Sequence, residues 1–249
     1  MRCFSLTFIF LFITVMSSAQ DFSWDDLISR VADAQTSGDR DALIALAERR
    51  KSNPAEPSEW NAYWRAYLNY RAAYLSGEEE PDKEKLEACA DTGELAIDRG
   101  EESGESHALL GLCFGQLAGT GMMAGMRYSS KSQAMLDEAL MIAPDSPRVL
   151  LAAGINDLYK PAQYGGDIDR AVRRLQEARR TLTQGPDADN AAWHPAWGKM
   201  DAHAHLAIAL ARLDRPDEAL EVLHEADKAG LESPWLNSIR KRLEALGSS

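Results

Sequence analysis

The sequence predicts an all-α fold, a solenoid of helical hairpins closed by a helix at its C-terminal end. Three observations predict it. Past Gln20 the apolar residues recur close to every 3.6 positions, and no stretch alternates strictly for long. Breaks rich in Gly, Pro and Asp divide that pattern into short segments. Each segment carries one apolar stripe, which a helix must bury against a neighbour, and repeated pairs of such segments stack into a solenoid.

The first segment is set apart from this pattern. Met1–Arg2 supplies one positive charge, Phe4 to Val15 is almost wholly apolar, and Ser17 and Ala19 are small. That order is a signal peptide over residues 1–19, with cleavage after Ala19. The apolar run is short of the roughly 20 residues a spanning helix needs. Cys3 precedes the run, so it is not placed as a lipoprotein cysteine. No later stretch is apolar enough to span a membrane. The expected destination is an exported compartment, most simply a bacterial periplasm, with residues 20–249 as one helical repeat domain.

The helices follow in order. After Gly38, Ala42, Leu43 and Leu46 mark the second helix of a first unit. Trp60, Tyr63, Trp64, Tyr67 and Tyr70 form an aromatic helix, and Leu86 to Ile97 its mate beyond a polar break. Ala108–Leu117 leads into Ala134–Ile142, which stops at Pro144. Val149–Tyr159 leads into Ala171–Leu182. Leu206, Ile208, Leu210 and Leu213 precede the break Asp214-Arg215-Pro216-Asp217, where Pro216 suits the first turn of the next helix. Ala219, Leu220, Leu223 and Ala226 then share a face, and Gly230 stops that helix. Pro234–Leu246 is a lone amphipathic helix that caps the last of four to five pairs.

On these residues the chain resembles the tetratricopeptide repeat family. Leu110-Gly111 followed by Phe114 fits the first half of that repeat; Leu136, Ala139 and Pro144 fit the second. Leu206-Ala207-Leu210 and Ala219-Leu223-Ala226 repeat both halves, and Ala171, Leu175 and Ala178 give another second half. The resemblance implies a right-handed solenoid. The spacing departs from the family: Ala139 to Ala178 is 39 residues and Ala178 to Ala226 is 48, against about 34. The excess sits in Ala118–Lys131, Lys160–Gly166 and Thr183–Pro195. Pro161-Ala-Gln-Tyr164-Gly-Gly-Asp167 resembles a block recurrent in exported bacterial tetratricopeptide-like proteins. Periplasmic proteins of this kind associated with TRAP transporters are the relatives with a proposed role.

Composition narrows the function. The chain has 27 basic and 39 acidic residues, a formal charge of −12, and no basic tract. Nucleic acid and anionic membrane surfaces are poor partners for it. A P-loop, a Gly-x-Ser-x-Gly elbow and a Cys/His nucleophile pair are all absent from the sequence, so we expect no enzyme and no cofactor. We expect a non-enzymatic exported scaffold or adaptor that binds a protein or peptide on its concave face. The alternative is a periplasmic small-molecule-binding component associated with transport, with an apolar ligand.

Candidate binding residues are Trp60, Tyr63, Trp64 and Tyr67, because this helix has too many rings for one core stripe. One face would pack and the other would line the inner curve; simple burial of the whole helix under the first unit is the alternative. Tyr164 and Asp167 are the second candidate: a loop that interrupts a repeat is a place for function, although a structural corner capped by Asp167 comes first. Ala108, Leu112, Leu151 and Ile155 stand where carboxylate-clamp repeats carry Lys, Arg and Asn, so an apolar inner surface is expected. Met122, Met123 and Met126 are read first as packing, then as a partner contact, then as a soft-metal site. His203 and His205, two apart on a helix, face different ways and are not expected to hold zinc. Cys89 and Cys113 lie at similar heights on two adjacent helices; two separate buried thiols are the default and a disulfide the alternative.

Overall fold

The computed structural model describes residues 24–51, 58–75, 81–99, 103–184 and 197–247. The signal-peptide expectation for residues 1–19 lies outside these. Among the described residues the fold is all-α, with eleven α-helices and no strand. They form five consecutive pairs and a cap: α1 (Trp24–Ser37) with α2 (Arg40–Lys51), α3 (Ser58–Tyr74) with α4 (Lys83–Arg99), α5 (Gly104–Gly119) with α6 (Met122–Ile142), α7 (Pro147–Tyr159) with α8 (Ile168–Gln184), α9 (Lys199–Arg212) with α10 (Pro216–Lys228), then α11 (Pro234–Gly247).

Small residues let the paired helices approach. At Gly111 on α5 an added Cβ would stand 2.7 Å from Leu136 Cγ on α6. The equivalent position one pair later, Gly154 on α7, would put its Cβ 2.9 Å from Leu175 Cγ on α8. Ser132 Oγ also donates to the Gly111 carbonyl at 2.8 Å, tying α6 to α5. The Ala139, Ala178, Ala219 and Ala226 methyls are fully buried against the opposite helices. These are the positions the repeat pattern singled out.

Pairs stack by their neighbours. Each second helix lies on the first helix of the following pair, α2 on α3, α4 on α5 and α8 on α9. First helices also touch one another, α3 to α5, α5 to α7 and α7 to α9, so they line the inner side. α11 covers α9 and α10 with Leu236, Ile239 and Leu243, and Ser233 Oγ accepts from the Leu236 amide to start it.

Two expectations are corrected here. Cys89 and Cys113 are bridged, with Cα atoms 5.8 Å apart. The physical reason is the close seat of α4 on α5, where Gly93 lies against Leu110 and leaves the two thiols facing each other. The segment Ala118–Lys131 is not an irregular insertion either. α6 begins at Met122, twelve residues before the predicted start at Ala134. Gly119 and Gly121 break the chain only between the helices, and Met, Ala, Arg and Lys then propagate a helix.

Candidate binding site at the inner face

The inner face is built from one stripe of α3. Tyr63, Tyr67, Tyr70 and Tyr74 recur three or four residues apart, with Arg71 four after Tyr67, and Tyr63 and Arg71 reach Trp197 and Asp201 beside and on α9. Opposite them stands Trp197, immediately before α9. Gly198, with φ +112°, turns the chain there so that the indole enters the interior. Its Nε1 donates to the Tyr63 hydroxyl at 2.8 Å. Its ring stacks on Tyr67, centroids 4.8 Å apart. Arg148 on α7 donates to the Trp197 carbonyl at 3.0 Å and to Glu105 of α5 at 3.3 Å. One turn further, Arg71 pairs with Asp201 of α9, both buried.

Four first helices therefore meet through side chains, and the centre of the inner face is core. Tyr63, Trp64 and Tyr67 are fully buried and Trp60 is half-buried against Tyr63. Burial raises the phenol pKa of Tyr63 and Tyr67 well above the usual value. Ala108, Leu112, Leu151 and Ile155 are buried as well. The expectation that one face of the aromatic helix and these apolar positions line an open inner curve is corrected: the curvature brings α9 to α3, and Trp197 fills the gap.

The stripe reaches water only at the C-terminal ends of these helices. Tyr74 is 44 % exposed and Tyr159, the last residue of α7, is 43 % exposed. Tyr70 and Tyr74 meet edge to face, with ring centroids 5.3 Å apart. Tyr159 lies near enough that its phenol raises the pKa of both, on top of the larger effect of burial. The Tyr159 hydroxyl is 3.2 Å from His205 Nδ1, and the His205 ring meets Trp235 of α11 at 5.1 Å. The Arg212 guanidinium lies over the Tyr159 ring at 4.9 Å, held by the Leu158 carbonyl.

This mouth is a surface patch of partly exposed rings, Tyr74, Tyr159 and Trp235, packed around the buried His205, with Arg212 over Tyr159. Burial pushes the His205 imidazole down to about 4, partly opposed by Asp201, so it is neutral at pH 7. Such a surface can stack against a planar apolar group and offer hydrogen bonds and one cation at its edge. Sequence reasoning missed Tyr74, Tyr159, Arg212 and Trp235 as a group. The only local signal was Tyr74 continuing the α3 stripe; the rest come from helices brought together by the superhelix.

Tyr164 and Asp167 lie elsewhere and form a braced corner. Asp167 caps α8, its Oδ1 accepting from the Arg170 amide at 2.9 Å, and that bond holds its carboxyl below the usual range. Arg170 also donates to the Gly165 carbonyl and, with Arg174, to the buried Asp157 of α7. Gly166 is obligatory, since a Cβ there would stand 1.8 Å from the Lys160 carbonyl oxygen. Tyr164 is 67 % exposed. A cleft of about 240 Å³ runs beside this brace, lined by Leu136, Leu140, Ala153, Asp157, Arg170 and Arg174 among others. Of its charges, Asp157, Arg170 and Arg174 are paired with one another. Among the described residues no group of three His, Cys, Asp or Glu side chains could hold a metal ion.

No family model and no curated protein matches the sequence. Solved structures share the fold, among them the following two. The HusA haemophore from Porphyromonas gingivalis superposes with a TM-score of 0.61 at 20 % identity, over 78 % of this chain and 96 % of that one. TTC0263, a thermophilic TPR protein from Thermus thermophilus, superposes with a TM-score of 0.55 at 19 % identity, over 84 % and 90 %. The tetratricopeptide-like helical fold is thus shared with known proteins.

Proposed function

We propose that this chain is a non-enzymatic, exported binding scaffold whose ligand is a flat apolar molecule held in the aromatic mouth. The observation that carries this reading is the closure of the inner face by Trp197. An extended peptide has no groove to lie in there, whereas the small patch of Tyr74, Tyr159 and Trp235, backed by the buried His205, suits a ligand of limited size. Arg212 at the rim favours a ligand with an acidic edge. The likeness to a haemophore supports a porphyrin-sized ligand, and periplasmic placement is part of the proposal.

Titration with protoporphyrin IX and haemin, read by Soret absorbance and tryptophan quenching, tests it. Trp235→Ala and Tyr159→Ala should each weaken binding at least about tenfold, the scale of one lost aromatic contact. Affinity in both variants equal to that of the unsubstituted protein would refute the site. A protein or peptide partner is the second reading, favoured by the exposed Tyr164 on its rigid corner. Native mass spectrometry of the protein from its own host's envelope separates the two: a small adduct supports the mouth, and a protein-sized companion supports the adaptor.

A further inference from the structure

We propose that the first turns of α6 form a thioether site for a soft monovalent cation of the Cu(I) class. Met122, Met123 and Met126 are 85 %, 76 % and 75 % exposed. That removes the packing role expected of them: these side chains fill no gap. At 100° per residue the three positions fall within one arc of about 100°, and the helix rises only about 6 Å from the first to the last. Methionine has three rotatable side-chain bonds, enough for the three sulfurs to converge on one ion.

The surroundings select the ion. From His107 to Leu136 the sequence has no acidic residue, so no carboxylate of that stretch competes for the site or recruits hard cations. The one imidazole in that stretch, His107, is buried and bonded to the Ser103 carbonyl. Neutral thioethers alone select soft ions such as Cu(I) and Ag(I) over zinc, calcium or magnesium. Arg127 and the positive end of the α6 dipole add a repulsion that grows with ionic charge, which favours a monovalent ion over a divalent one. Below the site the helix is fixed: Tyr128 stacks on Phe114 at 5.8 Å, and Lys131 lies over Phe114 at 4.8 Å. The tip can therefore bind without refolding the hairpin.

Met141 provides a control within the same helix, being 76 % exposed but without a neighbouring thioether on its turn. The experiment is a titration of the disulfide-intact mature protein, labelled with 13C at the methionine methyls, with Ag(I) in chloride-free buffer. The methyls of Met122, Met123 and Met126 should shift together at a silver concentration at least tenfold below that which moves Met141. Met126→Leu should erase that tenfold preference and leave the melting temperature unchanged, because the residue is three-quarters exposed. Simultaneous titration of Met141 with the other three would overturn the proposal, as would an equal response to Zn(II) or an unaltered preference in Met126→Leu. A leucine variant keeps the patch apolar, so a site that served only to dock an apolar partner would bind Ag(I) no better than Met141 does.

Discussion

Replacing Trp197 tests the closure of the inner face. The indole is buried, stacks on Tyr67 and donates to the hydroxyl of the buried Tyr63. Truncating a buried tryptophan to alanine costs about 3–5 kcal/mol. Trp197→Phe keeps most of the stack but leaves the Tyr63 hydroxyl without its donor, at about 1–3 kcal/mol. At this chain length 1 kcal/mol corresponds to about 2–4 °C, so Trp197→Ala should lower Tm by about 6–20 °C. Urea unfolding followed by far-ultraviolet circular dichroism gives the free energies, and an unchanged m-value excludes a change in the unfolded state. A loss below about 1 kcal/mol in Trp197→Ala would refute the reasoning: Trp197 would then be a loose cover over an open groove.

Three further outcomes follow from the packing. His205 takes up its proton near pH 6.5 when unfolded but only near 4 when folded. Its contribution is full above pH 6.5 and is lost as pH falls toward 4, about 3 kcal/mol in all; His203 is shifted the same way. His205→Phe should flatten that part of the stability profile, and identical profiles would contradict a buried neutral ring. Reducing the Cys89–Cys113 bridge reopens a loop of 24 residues and should cost about 3 kcal/mol; a Tm insensitive to reductant would show that the thiols are not joined. Gly166→Ala should cost about 3 kcal/mol, because the Lys160 carbonyl occupies the place of the new methyl. Gly119→Ala, with open space around it, is the control and should be neutral or stabilising in the same melt.

What could be read from the sequence was local. Periodicity and breaks located α7, α8, α10 and α11 to within a few residues, because each carries its own apolar stripe and its own stop. Gly111 and Ala139 were legible as close-packing positions since the repeat pattern fixes their spacing. The start of α6 was missed because its first three turns, up to Lys131, are largely exposed and carry no apolar stripe to mark them. The bridge between Cys89 and Cys113 turned on the distance between α4 and α5, which spacing alone does not set. The binding surface was the least legible part. Tyr63 and Trp197 are 134 positions apart, and their contact depends on the accumulated curvature of four stacked pairs. Rings that seemed too many for a core stripe turned out to face two cores, one within the repeats and one across the inner curve.

Hydrogen–deuterium exchange with and without haemin is the most direct test of the central claim, that ligand enters at the open end of a sealed inner face. The account predicts added protection at residues 67–74, 155–159, 201–212 and 235–239, with none along residues 168–184. Protection centred on the Leu136–Arg174 cleft, or no change anywhere at saturating haemin, would contradict it.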